Sequence, residues 1–176
     1  VPVHPIAGKE VAGVEHSDAD LYKDRALIVT PMASSGATQV ELAKQIWKSL
    51  GSYITELTPT EHDAAFAAVS HLPHVLSYAI IRGIFQQHNG PELMALGGPG
   101  FRDFSRIAAS DPVVWRDILT TNRDQVLLQI NHFKDALNEF EKAIQDNEPQ
   151  VLEDMIRQAS DLRFNWRMGS SQNPEK

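Results

Sequence analysis

Cysteine is absent from all 176 residues, which excludes disulfides, thiolate nucleophiles and cysteine-ligated zinc together. Basic charge is scarce: 16 Lys and Arg stand against 23 Asp and Glu, for a net charge of −7. Binding to nucleic acid needs a basic face that releases phosphate counterions, so no nucleic-acid partner is expected. No apolar run approaches the ~20 residues that span a bilayer, so no membrane partner is expected either. There is no internal repeat. What is present suits a globular protein: 42% apolar residues, 22% charged, and three Trp, three Tyr and seven Phe for a core. A cytoplasmic setting fits. The first residue is Val, so the natural start can lie elsewhere and a removed targeting segment stays open.

Residues 1–58 read as αβ. Ala26-Leu27-Ile28-Val29-Thr30 is a short apolar, β-branched run that ends at Pro31, as a buried strand does. A helical pattern follows Gly36, with Val40, Ala43, Ile46, Trp47 and Leu50 on one face and Gly51 as C-cap. Ser52 to Leu57 then alternates like a second strand. One strand–helix–strand unit of a parallel sheet cannot bury both faces alone, so this segment is expected to be the tail of a larger sheet.

From Thr58 the pattern is helical. Thr58-Pro59-Thr60-Glu61 is a capping box with Pro at the first helical position. The helix it opens is predicted to run to about Gln87, kinked at Pro73, where a carbonyl one turn earlier loses its partner. Gly90-Pro91 is expected to break the pattern, and Gly97-Gly98-Pro99-Gly100 to form a loop open to close backbone approach. One helix is predicted from Pro112 to Gln145. Its Val126, Ile130, Phe133, Leu137, Phe140 and Ile144 form a heptad seam. Pro149 opens a last helix, with Leu152, Ile156, Ala159 and Leu162 inward. Residues 169–176 read as a disordered tail or linker.

Three groups of residues carry chemistry. Pro5 holds His4 in extended backbone at a strand end, where αβ proteins bind ligands. His71 and His74 share a helical face; their ordinary reading is a pair of half-buried helix histidines. With His62 and Asp63 they also suggest a metal-dependent hydrolase, although no His-Glu-x-x-His spacing exists and no metal is expected. Arg102 and Arg106 stand four residues apart, hence on one helical face, and forked guanidinium pairs suit a small dianion. The plainer reading pairs them with Asp103 or Asp111 on a solvated face.

Taken together, His4-Pro5-Ile6-Ala7-Gly8, Ser70-His71-Leu72-Pro73-His74, and the segment Gly100-Phe101-Arg102-Asp103-Phe104-Ser105-Arg106 with Ser110–Asp117 resemble the prephenate/arogenate dehydrogenase family. The resemblance runs from His4 to about Arg167. It implies an α+β, mainly α fold: a strand–helix–strand remnant of a Rossmann-type nucleotide-binding domain over 1–58, then an all-α substrate-binding and dimerisation domain over 59–168. The latter is similar to the C-terminal domain of 6-phosphogluconate dehydrogenase. It implies oxidative decarboxylation of prephenate or arogenate in tyrosine biosynthesis, with hydride passing to NAD or NADP. His4 is implied as the group that bonds the ring hydroxyl and takes its proton, a role suited to imidazole. Arg106 is implied on a substrate carboxylate, His74 and Trp115 in the pocket, and His71 in the shell behind it. Gly8, Lys9, Glu10, Arg102 and Asp103 complete the implied substrate-binding set.

Two positions depart from the family pattern. Lys9 stands where a small hydroxyl residue is more usual, and a cation there would reward an extra carboxylate. Pro99 interrupts a run that is often all glycine. No G-x-G-x-x-G follows a strand and precedes a helix; Gly98-Pro99-Gly100 is the only G-x-G and follows a helix. The cofactor-binding half is therefore expected upstream of Val1, and the chain alone is expected to be inactive. A homodimer through the helical region is implied. A non-catalytic dimerisation or effector-binding module is the alternative that the seam by itself would favour.

Overall fold

The computed structural model describes residues 1–8 and 13–167. Lys9, Glu10 and the expected tail at 169–176 lie outside them. The chain divides into two compact units, one made of Val1–His62 with the segment from Glu139 onward, the other of Asp63–Asn138.

In the first unit, β1 (Val3–Pro5), β2 (Ala26–Val29) and β3 (Tyr53–Glu56) form a sheet in the order β1-β2-β3. α1 (Ala37–Ser49) connects β2 to β3, which run parallel as the strand–helix–strand pattern predicts. β1 adds itself antiparallel to β2, with His4 opposite Ile28. Three residues ending in Pro5 are too short for alternation to announce, so this strand shows in the sequence only as extended backbone around His4. Leu27, Val29 and Val40 form the buried cluster, with Val3, Trp47 and Ile54 packed against it. Full burial of Leu27 and Val29 contributes roughly 1.5–3 kcal/mol each. Because side chains alternate along a strand, Val3 on this face puts His4 and Ile28 on the other.

Gly51 ends α1 as expected. It sits just past the cap at φ 86°, and a Cβ there would lie 3.1 Å from the Lys23 backbone. Its carbonyl accepts from the Asp24 N–H at 2.9 Å, which fastens the Lys23–Arg25 turn beneath β3.

The helix that follows starts as its capping box demands. The Glu61 carboxylate accepts the Thr58 N–H at 2.8 Å, and the Glu61 N–H donates to Thr58 Oγ1 at 3.2 Å. The bonds its carboxylate accepts, first from the Thr58 N–H and then from the Thr58 hydroxyl, pull the Glu61 carboxyl below its ordinary pKa. α2 (Pro59–Phe66) then widens into a π turn over Ala67–His71 before α3 (Leu72–Phe85). The reason is Pro73, which has no N–H to give the carbonyl one turn back. The helix answers by widening: the Leu72 N–H bonds the Ala67 carbonyl, five residues earlier.

One expectation is qualified here. By length and composition Pro59–Phe85 is apolar enough to cross a membrane, its best 18-residue window having mean hydropathy 1.4. Ser70, His71, Pro73 and His74 break every continuous run, yet a window average absorbs them. Core helices of water-soluble proteins pass the same test, and only 11% of this window is buried within the chain.

Three further boundaries differ from the sequence reading. Gly90-Pro91 starts a helix, α4 (Gly90–Ala95), rather than only ending one, and Pro99 opens α5 (Pro99–Ser105) out of the expected glycine loop. Pro in the first turn of a helix needs no N–H partner, so both prolines act as starts. The predicted helix from Pro112 to Gln145 is two helices, α6 (Pro112–Thr121) and α7 (Arg123–Gln145), parted at Asn122. α8 (Pro149–Asn165) follows its start signal, but its expected inward face is largely open: Ile156 and Leu162 are 54% and 69% exposed.

Candidate active site

Each unit gathers one group of the predicted side chains. In the first, His4 projects from the sheet face opposite the α1 core. Its Nδ1 lies 2.9 Å from Nε2 of His62, the rings meeting edge to face at 63° with centroids 5.2 Å apart. The first turn of α2 fixes His62: its N–H donates to the Thr58 carbonyl at 2.9 Å, inside the capping box. Desolvation, then the charge of His62, holds the His4 pKa below the ordinary imidazole value. At neutral pH the His4 ring is neutral and able to accept a proton. Gly8 has open space where a side chain would start.

The second unit assembles an aromatic cluster around His74. The Trp115 indole lies flat against the His74 ring, centroids 3.5 Å apart at 21°. His71 and Tyr78 approach the same indole edge-on, at 6.2 and 6.4 Å. The π turn supplies what orients His74. Its Nδ1 sits 2.9 Å from the Ser70 carbonyl, which can only accept, so Nδ1 carries the proton and Nε2 faces away from the helix backbone. Burial lowers the His74 pKa, the Ser70 carbonyl opposes that, and the nearby Arg106 charge adds to the lowering. Trp115 is delivered by α6, whose N-cap is firm: Asp111 Oδ1 accepts the N–H groups of Val113 and Val114 at 2.9 Å each.

Arg102 and Arg106 have different surroundings. Arg102 lies in α5, four-fifths exposed, with its Nε 3.3 Å from Asp103. That is the solvated pairing of the plainer reading. Arg106 opens the 3₁₀ turn Arg106–Ala109, which packs on α3. Two bonds fasten this region: buried Ser77 donates to the Phe104 carbonyl at 3.2 Å, and the Tyr78 hydroxyl meets Ser110 Oγ at 2.6 Å. Asn122, in the break between α6 and α7, donates to the Asp63 carbonyl at 2.8 Å and reaches His71 Nδ1 at 3.3 Å.

Sequence reasoning did not single out Ser77, Tyr78 or Asn122, included Ser110 only as the start of a motif, and weighed His62 only as a metal ligand. Tyr78 had a readable signal, since it stands one helical turn beyond His74. For the metal reading, no group of three His, Asp or Glu suited to a metal ion occurs among the described residues.

Comparison with known proteins gives this geometry a family. The family model described as the prephenate dehydrogenase nucleotide-binding domain matches residues 1–56, and the one described as the prephenate dehydrogenase dimerization domain matches 58–158. A cyclohexadienyl dehydrogenase of Zymomonas mobilis is 31% identical over 166 residues, covering 93% of this chain and 57% of that protein. A prephenate dehydrogenase of Bacillus subtilis is 29% identical over 91% of this chain and 43% of that protein. The chain thus spans about half the length of these relatives. Among solved structures, prephenate dehydrogenase from Aquifex aeolicus in complex with hydroxyphenyl propionate and NAD+ matches with TM-score 0.87 and 35% identity, over 92% of this chain and 57% of that one. Synechocystis arogenate dehydrogenase matches with TM-score 0.82 and 26% identity, over 94% of this chain and 60% of that one. With a histidine on the sheet, a stacked His74–Trp115 pair beside Arg106, and a matching family model over more than half its length, the chain belongs to the prephenate dehydrogenase family.

Proposed function

We propose that this chain contributes the substrate-handling residues of a prephenate or arogenate dehydrogenase of tyrosine biosynthesis. The observation that carries the reading is the stack of His74 on Trp115 beside Arg106, which joins a flat apolar wall to cationic groups. A cyclohexadienyl acid has the matching parts, a planar ring and carboxylates. Arg106 clamps a carboxylate through its planar fork, Trp115 lies against the ring, and His74 presents Nε2. His71, held by Asn122, backs the indole. His4 accepts the ring hydroxyl proton as the carbon bearing it is oxidised, and loss of CO2 then aromatises the ring. Gly8, Lys9 and Glu10 belong to the substrate-binding set in the same reading. Arg102 and Asp103 serve at the rim.

Hydride acceptance is what NAD or NADP supplies to such an enzyme when bound. The described residues include no glycine-rich cradle for its pyrophosphate. α1 is entered from β2 through Pro31–Gly36 without a glycine fingerprint, and the one G-x-G lies at the start of α5. The intact protein supplied with prephenate or arogenate is therefore expected to release CO2 and form reduced nicotinamide together, in equal amounts. Binding of either acid without turnover would leave only the effector-module alternative.

The seam of α7 supports a homodimer. Val126 is buried, Ile130, Phe133 and Phe140 are half-buried, and Leu137 and Ile144 are 52% and 62% exposed. The bare faces of α3 and α8 add further exposed apolar side chains, and soluble monomers leave few of these uncovered. Light scattering at micromolar concentration is expected to give twice the mass of one chain. A single-chain mass would show that these faces are covered in some other way.

A further inference from the structure

The contact between His4 and His62 carries a consequence for the chemistry of His4. Two imidazoles whose nitrogens lie 2.9 Å apart share one proton: one ring donates and the other accepts. His4 uses Nδ1 in this bond, so its Nε2 is the nitrogen turned away from His62. A ring that is to take a proton at Nε2 must carry its own proton on Nδ1. The opposite tautomer would present Nε2–H, a donor that cannot accept.

We propose that His62 is a positioning residue that holds His4 in the Nδ1–H tautomer, by offering an unprotonated Nε2 to accept that hydrogen bond. His62 then carries its own proton on Nδ1. The arrangement also strengthens at the moment it is needed. When the hydroxyl proton moves to His4 Nε2, an O–H bond breaks, an N–H bond forms, and His4 becomes an imidazolium. Its Nδ1–H bond to neutral His62 becomes charge-assisted, roughly twice as strong as the neutral bond. An interaction that grows with the transition state raises kcat rather than tightening substrate binding.

The mounting of His62 suits this task. Its backbone is tied into the first turn of α2 by the Thr58–Glu61 capping box, and His4 sits in a strand paired to β2. Both rings stand on rigid elements of the same unit, which a shared proton at this distance requires.

The inference rests on the reading of His4 as proton acceptor, and two variants separate them. His62→Leu removes the acceptor; His62→Gln restores one, since its side-chain oxygen reaches where Nε2 stood. With ¹⁵N-labelled histidine, NMR of the unsubstituted protein at neutral pH is expected to show His4 Nδ1 as pyrrole-like and Nε2 as pyridine-like. His62→Leu should lose that preference and His62→Gln should keep it. In the intact enzyme, His62→Leu should lower kcat roughly 10–100-fold with little change in KM, and His62→Gln should recover most of the loss. A His4 tautomer unchanged in His62→Leu overturns the inference whatever the activity does, and so does a kcat loss that His62→Gln fails to recover. If instead the tautomer responds as expected while His4→Asn retains full kcat, the positioning role stands and the reading of His4 as base falls.

Discussion

His4→Asn in the intact enzyme is expected to lower kcat by roughly 10²–10⁴-fold with a modest change in KM, the loss typical of a removed general base. Asparagine keeps a polar side chain at the strand surface but cannot take the proton. The pH profile supplies an independent check with a definite sign. Desolvation first, and the charge of His62 second, lower the His4 pKa from 6.5. The neutral, competent form therefore persists to lower pH, and the acid limb of kcat/KM should fall below that value. A limb above it would mean that the bond His4 donates to His62 outweighs the desolvation that disfavours its cation. An unchanged kcat in His4→Asn would return the residue to an ordinary surface histidine.

Arg106→Lys should raise KM substantially although the charge is kept. A lysine is a point charge and cannot reproduce the two parallel bonds of a guanidinium on a carboxylate, a loss of ~1–3 kcal/mol. Arg102→Lys is the internal comparison. Arg102 is exposed and turned to Asp103, so its replacement should leave KM nearly unchanged. Equal effects at the two positions would show that Arg106 holds no carboxylate that Arg102 does not. A fall in kcat without a rise in KM at Arg106 would show that it acts on the transition state alone.

Much of this architecture was legible because it rests on local chemistry. The capping box at Thr58–Glu61, the parallel pair joined by α1 and the positive-φ glycine after it all follow from short patterns whose causes lie within a few residues. Two of the three misread boundaries share one cause. Proline both ends and begins helices, and only neighbouring elements decide which. At Pro91 and Pro99 it begins them. Asn122 parts α6 from α7 with bonds to Asp63 and His71, partners 59 and 51 residues away that no local window contains. The site residues divide in the same way. His4, His74, Arg106 and Trp115 stand in recognisable motifs. Ser77, Tyr78 and Asn122 look like ordinary helix and turn residues until α3 is packed on the Arg106 turn.

The π turn at Ala67–His71 changes how distance along this chain converts to direction. One residue more than an α turn holds puts everything beyond it about 100° out of phase with a regular helix. His74, Ser77 and Tyr78 all lie past the turn and keep phase with one another, so their common surroundings can be counted at 3.6 residues per turn. A count carried across it, from Asp63 or Phe66 to His74, points to the wrong azimuth. The aim of His74 is thus stored partly in chain length. One residue more or fewer in that turn would swing His74 off the Trp115 indole with every side chain of the site still present.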